Sequence, residues 1–191
     1  MGRVRTETKR VEILEAASRV FAERPFHEVL IEDVAAGARV GKGTIYRYFD
    51  TKDDLYFSTI LHGFDTLSDG LERSLASEIS PVARLERIAR EVIAYFSARQ
   101  YLATLLQNER RFERRDGELK KRRDVVHRMV TECLIEGIER RELRSLDVRI
   151  AAELFRGMVR AAVWLDPKAD DPREVARTIV EIFVQGTERR G

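Results

Sequence analysis

From Leu30 to Phe49 the chain reads Leu-Ile-Glu-Asp-Val-Ala-Ala-Gly-Ala-Arg-Val-Gly-Lys-Gly-Thr-Ile-Tyr-Arg-Tyr-Phe. Ile31, Val34 and Ala35 recur at helical spacing, Gly37 to Gly41 interrupts the run, and a second helix is expected from about Lys42, carrying Ile45 and Phe49 four apart. Two very short helices joined by a glycine-containing turn are the layout of a helix-turn-helix. On the second helix Ile45, Tyr48 and Phe49 fall on one arc, and Gly43, Thr44, Tyr46 and Arg47 on the other. So short a helix has no stability of its own, so its apolar arc must be held by neighbours while its outer arc is left for a partner. Thr44, Tyr46 and Arg47, with Lys42 and Lys52 on either side, suit a phosphate-lined groove: hydroxyls and cations fix register on the backbone, and Arg also reads guanine edges. Gly43 lets the helix backbone come close.

Charge is placed accordingly. The whole chain has 35 Lys or Arg against 33 Asp or Glu, a net charge of +2, which excludes a histone-like polycation. Arg3 to Arg10 and Arg39 to Lys52 are each at +3, whereas everything after residue 52 sums to zero. Positive charge thus gathers at the amino-terminal end and at the second short helix, where a nucleic-acid footprint puts it.

Upstream, Met1 to Thr6 reads as a basic mobile arm. From about Glu7 the residues Val11, Leu14, Ala17, Val20 and Phe21 define an amphipathic helix that ends before Pro25 and should cover the apolar arc of the short pair. Downstream, Thr51 is a candidate helix cap followed by Asp53 and Asp54, and Leu55 to Leu75 continue a helix to about Ser77. That helix is long enough to leave the head for a second domain, and so to act as a lever on the short pair.

The string Val40-Gly41-Lys42-Gly43-Thr44-Ile45-Tyr46-Arg47-Tyr48-Phe49, with Asp33-Val34-Ala35 before it and Lys52-Asp53-Asp54-Leu55 after it, resembles the amino-terminal domain of TetR/AcrR-family transcriptional regulators. The likeness spans roughly Lys9 to Phe57 and is highly specific. It departs from the usual pattern at Leu30, where a Thr or Ser commonly caps the first short helix, and at Gly41, where a Ser commonly caps the second. Each departure removes a phosphate-contacting hydroxyl and weakens a cap by roughly 0.3–2 kcal/mol.

The rest of the sequence carries helical periodicity and no strand, repeat or low-complexity segment. Ser80-Pro81 opens a helix to about Arg99, and a shorter one is expected over Tyr101 to Phe112. A long core helix follows from about Asp116 to Arg141, with Val125, Val126, Met129, Val130, Cys133, Leu134 and Ile138. Asp147 caps another, ending at Leu165, and Asp171-Pro172 opens the last, in which Val175, Ile179, Ile182 and Phe183 are expected on one face. The expected fold is all-α, about nine helices: a three-helix DNA-binding head over residues 1–50 and a six-helix effector-binding and dimerisation bundle over residues 51–191.

Catalysis is hard to argue. His27, His62, His127 and the lone Cys133 have no metal-ligand spacing, and neither a Ser/His/Asp grouping nor a phosphate-binding glycine loop is visible. No cofactor or metal is expected. Cys133 reads as a core residue. With no signal peptide or long apolar run, a cytoplasmic protein without membrane contact is expected. Arg110 to Arg123 holds eight bases and three acids; it reads as a solvated surface or as a mouth for an anionic ligand such as an acyl-coenzyme A.

One short recognition helix reads only a few base pairs, so a homodimer on two half-sites is expected. The last two helices are the best interface candidates, since their apolar stripes are broad and Gly157 stands among Ala151, Ala152, Ala161 and Ala162. Dimerisation through these two helices is also what the resemblance implies. It further implies a repressor released from a palindromic operator when a small, largely apolar effector enters the bundle. Phe64, Tyr95, Phe96, Asn108, Phe112, Met129, Phe155 and Met158 are candidates to line its pocket. Expected DNA contacts are Lys42, Gly43, Thr44, Tyr46, Arg47, Tyr48 and Lys52. The alternative is a helical lipid- or protein-binding module without sequence-specific DNA binding.

Overall fold

The computed structural model describes residues 2–76, 80–99, 116–164 and 171–187. Among these there are eight helices and no strand: α1 (Gly2–Glu23), α2 (Ile31–Gly37), α3 (Lys42–Tyr46), α4 (Lys52–Leu75), α5 (Pro81–Ser97), α6 (Asp116–Glu139), α7 (Val148–Trp164) and α8 (Pro172–Thr187). The ninth helix expected over Tyr101 to Phe112 lies outside the described residues.

Helix starts fall where side-chain acceptors stand. The Thr51 hydroxyl accepts from the Asp54 N–H at 3.0 Å, Ser80 Oγ from Ala83 N–H at 3.4 Å, Asp147 Oδ1 from Ile150 N–H at 3.1 Å and Asp171 Oδ1 from Arg173 N–H at 2.9 Å. Pro81 and Pro172 occupy first helical positions, where their missing N–H leaves no intrahelical bond unmade.

One expectation needs correction here. Residues 2–6 are not an arm outside the helix: α1 begins at Gly2. Once α1 is nucleated, nothing between Arg3 and Thr6 stops its extension toward the amino terminus. The turn between α2 and α3 contains Gly41, as expected, but its left-handed residue is not a glycine. The left-handed residue is Arg39 (φ 54°), and no glycine has positive φ among the described residues. Arg39 N–H donates to Ala36 O at 3.1 Å and Val40 N–H to Ala35 O at 2.9 Å, the two bonds of a Schellman ending. The end of α6 repeats it with Arg141 (φ 63°), whose N–H donates to Ile138 O, while Glu142 N–H donates to Gly137 O.

The described residues form two compact units, one running to Asp65 and the other from Thr66 to Arg99 and from Gly117 onward. In the first, α1 packs on α2 and α2 on α3. Its core is Ile13, Leu14, Phe21, Val29, Val34, Ile45, Phe49, Leu55 and Ile60. Phe21, Phe26 and Tyr56 form an aromatic cluster, with Phe21 and Tyr56 edge to face at 4.7 Å between ring centroids. The buried Thr59 donates its hydroxyl to Leu55 O at 2.8 Å, so no polar atom is stranded there.

In the second unit α5 packs against α7 and α8, which also pack on each other. Leu85, Ile88, Ile93, Phe155, Val159, Ile179 and Phe183 are buried, and the rings of Phe155 and Phe183 meet edge to face at 5.2 Å. At the α6 ending, Gly137 stands tight against Leu143: a Cβ there would lie 2.8 Å from Leu143 Cδ1, so the buried leucine would have to shift. Glu136 joins Arg84 of α5 to Arg140 across the same corner. Cys133 is buried, and burial pushes its thiol pKa up, as befits a packing residue.

Ile182 departs from the expected face of α8. Ala176, Ile179, Val180 and Phe183 form the buried arc, and Ile182 is 59% exposed. On α7, Leu154 likewise faces outward (62% exposed) together with Ile150, Gly157 and Ala161. The spacings of four, three and four residues put these four on one outward stripe.

Candidate nucleic-acid interface

α3 spans only Lys42–Tyr46, with Gly41 as its N-cap and Arg47 as its C-cap. Tyr48 and Phe49 follow in a turn whose two N–H groups both donate to Ile45 O at 3.0 Å, so the two-arc pattern persists past the helix proper. Ile45 and Phe49 are buried, and the Arg10 guanidinium of α1 sits 5.5 Å from the Phe49 ring centroid. Tyr48 is half-buried, and its ring lies 6.4 Å from that of Phe49. On the outer arc Gly43, Tyr46 and Arg47 are exposed, Tyr46 at 44%, while Thr44 is half-buried. Nothing lies within 4 Å of where a Gly43 Cβ would stand. The segment thus buries its oil and leaves donors, a guanidinium and an open backbone facing outward.

Both short helices begin without a side-chain cap of their own. Gly41 offers none, and Leu30 offers none to α2. Asp33 supplies part of what Leu30 lacks: its Oδ2 accepts the Leu30 N–H at 3.0 Å and also pairs with Arg24 just past α1, at 2.9 Å. It thereby ties α2 to the end of the helix that covers it. Sequence reading missed the bond from Asp33 back to the Leu30 N–H, although an acid three residues after a helix cap is its visible sign.

The two lysines beside α3 are already engaged. Lys52 Nζ stands 4.4 Å from the Phe26 ring centroid. Lys42 Nζ donates to Glu32 Oε1 at 2.6 Å and lies 6.0 Å from the Tyr46 ring centroid. The Lys42–Glu32 hydrogen bond raises the pKa of Lys42 and lowers that of Glu32, so both remain charged at neutral pH.

The candidate effector residues are placed as follows. Phe64 is buried on α4 within the first unit. In the second unit Phe96 and Phe155 are buried, and Tyr95, Met129 and Met158 are half-buried. Tyr95 and Phe96 meet edge to face at 5.9 Å, and the Arg99 guanidinium lies 4.1 Å from the Tyr95 ring centroid. Asn108 and Phe112, and the basic run from Arg110 to Arg115, lie outside the described residues. Among the described residues no group of His, Cys, Asp or Glu could hold a metal ion, and no helix is long and apolar enough to cross a membrane.

A three-helix head whose last, five-residue helix presents donors and cations over a buried apolar arc defines a helix-turn-helix protein. Residues 13–59 match the bacterial regulatory proteins of the tetR family, and residues 78–187, more than half of the chain, match the tetracyclin repressor-like C-terminal domain. The chain therefore belongs to the TetR family of ligand-responsive, DNA-binding transcriptional regulators.

Among curated relatives, it is 29% identical over 141 residues to the transcriptional regulator HbdR of Aromatoleum sp. (strain CIB), covering 70% of this chain and 61% of that one. It is 25% identical over 186 residues to the fatty acid metabolism regulator protein of Bacillus subtilis (strain 168), covering 93% and 95%. The crystal structure of the regulator FadR from Bacillus subtilis in complex with stearoyl-CoA superposes with a TM-score of 0.77 at 24% identity, covering 93% of this chain and 99% of that one, and shares the fold.

Proposed function

We propose that this regulator is a cytoplasmic, homodimeric repressor that leaves a palindromic operator when a small, largely apolar effector, of the acyl-coenzyme A type, occupies its C-terminal bundle. The observation that carries the DNA half is the outer arc of α3, with Tyr46 and Arg47 bare above buried Ile45 and Phe49. In this reading residues 1–50 are the DNA-binding domain and residues 51–191 the effector and dimerisation domain. Thr44, Tyr46 and Lys52 contact phosphates, Gly43 lets the backbone approach, and Arg47, Lys42 and Tyr48 face base edges.

The outward stripes of α7 and α8 favour self-association. Ile150, Leu154 and Ile182 are exposed, and nothing stands within 4 Å of a Cβ at Gly157, which leaves room for a second copy's helices. The effector class is supported by the fatty-acid regulator among the relatives and by the stearoyl-CoA bound to FadR. Tyr95, Phe96, Met129, Phe155 and Met158 supply rings and thioethers suited to an acyl chain. Effector binding shifts the population toward a state with weaker operator affinity, through the lever helix α4. Family membership favours this regulator over a helical lipid- or protein-binding module and over an enzyme.

Selection of bound duplexes from a random pool tests the reading. The full chain should enrich a palindrome, and stearoyl-coenzyme A should release it from that duplex where coenzyme A alone does not. A pool without a palindrome would remove the dimeric operator, and a complex indifferent to acyl-coenzyme A would remove the effector class.

A further inference from the structure

Lys42 and Lys52 flank the outer face of α3, and each is engaged by another group of the protein in a different way. The Phe26 ring under Lys52 attracts the ammonium without cancelling its charge, so a phosphate meets a full cation. Lys42 is instead hydrogen-bonded to Glu32, ten residues earlier and in the first turn of α2, at 2.6 Å. Both members of this pair remain open to solvent, with side chains 52% and 57% exposed. A duplex approaching α3 therefore meets an ion pair where the sequence shows a lone lysine.

We propose that Glu32 is a specificity-determining residue of the DNA interface, because it keeps the Lys42 ammonium neutralised until the operator offers acceptors good enough to replace its carboxylate. This role rests on the DNA-contact reading of α3. On an unrelated sequence, a phosphate passing Lys42 must displace a carboxylate already in hydrogen-bond contact, and that carboxylate repels the polyanion as well. Both effects subtract from sequence-independent binding, which is mostly cation to phosphate. On the operator, base-edge acceptors add to the phosphate and the exchange goes forward. Exposed pairs of this kind are weak, so the exchange is readily reversible and its size is modest. Discrimination is the difference between the two affinities, so a group that lowers the unwanted one raises it.

The test uses the full chain, the operator duplex selected from the random pool, and an unrelated duplex of equal length. Binding is measured against salt concentration for the wild type, Glu32→Gln and Glu32→Gln/Lys42→Ala. Glu32→Gln should bind the unrelated duplex about 2- to 5-fold tighter near physiological salt, with a slope of log affinity against log salt steeper by about 0.9. Its operator affinity should rise less, so discrimination falls, and adding Lys42→Ala should abolish the gain. Unchanged affinity and slope on the unrelated duplex would overturn the proposal. So would a gain that survives Lys42→Ala, since removal of any nearby negative charge would then suffice. A wild type that binds neither duplex removes the DNA-contact reading itself, before any variant is compared.

Discussion

Beneath the outer face of α3 lie Ile45 and Phe49, and beneath the outer faces of α7 and α8 lie Phe155, Val159, Ile179 and Phe183. Both regions seal an apolar interior and both leave a second surface bare. The head leaves Tyr46, Arg47 and an ion-paired Lys42, groups that water solvates well and that a polyanion can take over from water. The last two helices leave Ile150, Leu154 and Ile182, which water solvates badly. The first surface can therefore be alternately free and occupied, as a regulator's DNA contact must be, whereas the second favours a partner that stays. Chemical character, more than the amount of exposed area, separates a reversible interface from a lasting one.

The largest expected effect lies in the second region. Leu154→Arg places a charge in the centre of the proposed dimer stripe, and truncation or charge insertion at such positions costs at least about 2 kcal/mol of association. Light scattering should show monomers, and operator affinity should collapse with them. A variant that stays dimeric with full affinity would break the comparison on this side.

In the head, effects should divide by arc. Ile45→Ala opens a cavity in the core of the first unit and should cost about 2–5 kcal/mol in denaturant unfolding. Tyr46→Ala should leave that transition nearly in place while weakening binding to every duplex. Arg47→Ala should relax preference at one base pair, by about 1–3 kcal/mol of discrimination. Equal loss of stability in all three would mean that the outer arc is packed, not presented.

The smallest effect sharpens a different point. Arg141 holds a left-handed conformation that glycine adopts without strain, so Arg141→Gly should raise stability by about 0.5–1 kcal/mol, measured as a higher midpoint of thermal unfolding.

That last site also marks where sequence reading ran short. Thr51 and Asp147 were legible as helix caps because each carries the acceptor that makes the bond, and the starts at Ser80-Pro81 and Asp171-Pro172 were legible from the proline at the first helical position. Arg39 and Arg141 were not, because a left-handed ending on a residue with a Cβ leaves no compositional trace; only the chain geometry reveals it. The burial of Ile45 and Phe49 followed from periodicity alone. The outward turn of Leu154 and Ile182 did not, since an apolar residue on an already apolar helix can serve either of two arcs. Glu32 escaped notice because its partner stands ten residues on, across the turn, and ordinary helix spacing pairs residues only three or four apart. What sequence conveyed about the interface was which side chains are available; which of them arrive already engaged is a property of the folded head.

One oxygen of Asp33 receives the first free amide of α2 and the guanidinium just beyond α1. Because a single atom fastens both neighbouring joints, losing this one carboxylate would slacken the start of α2 and its tie to the end of α1 together, although neither lies on the face turned to the duplex.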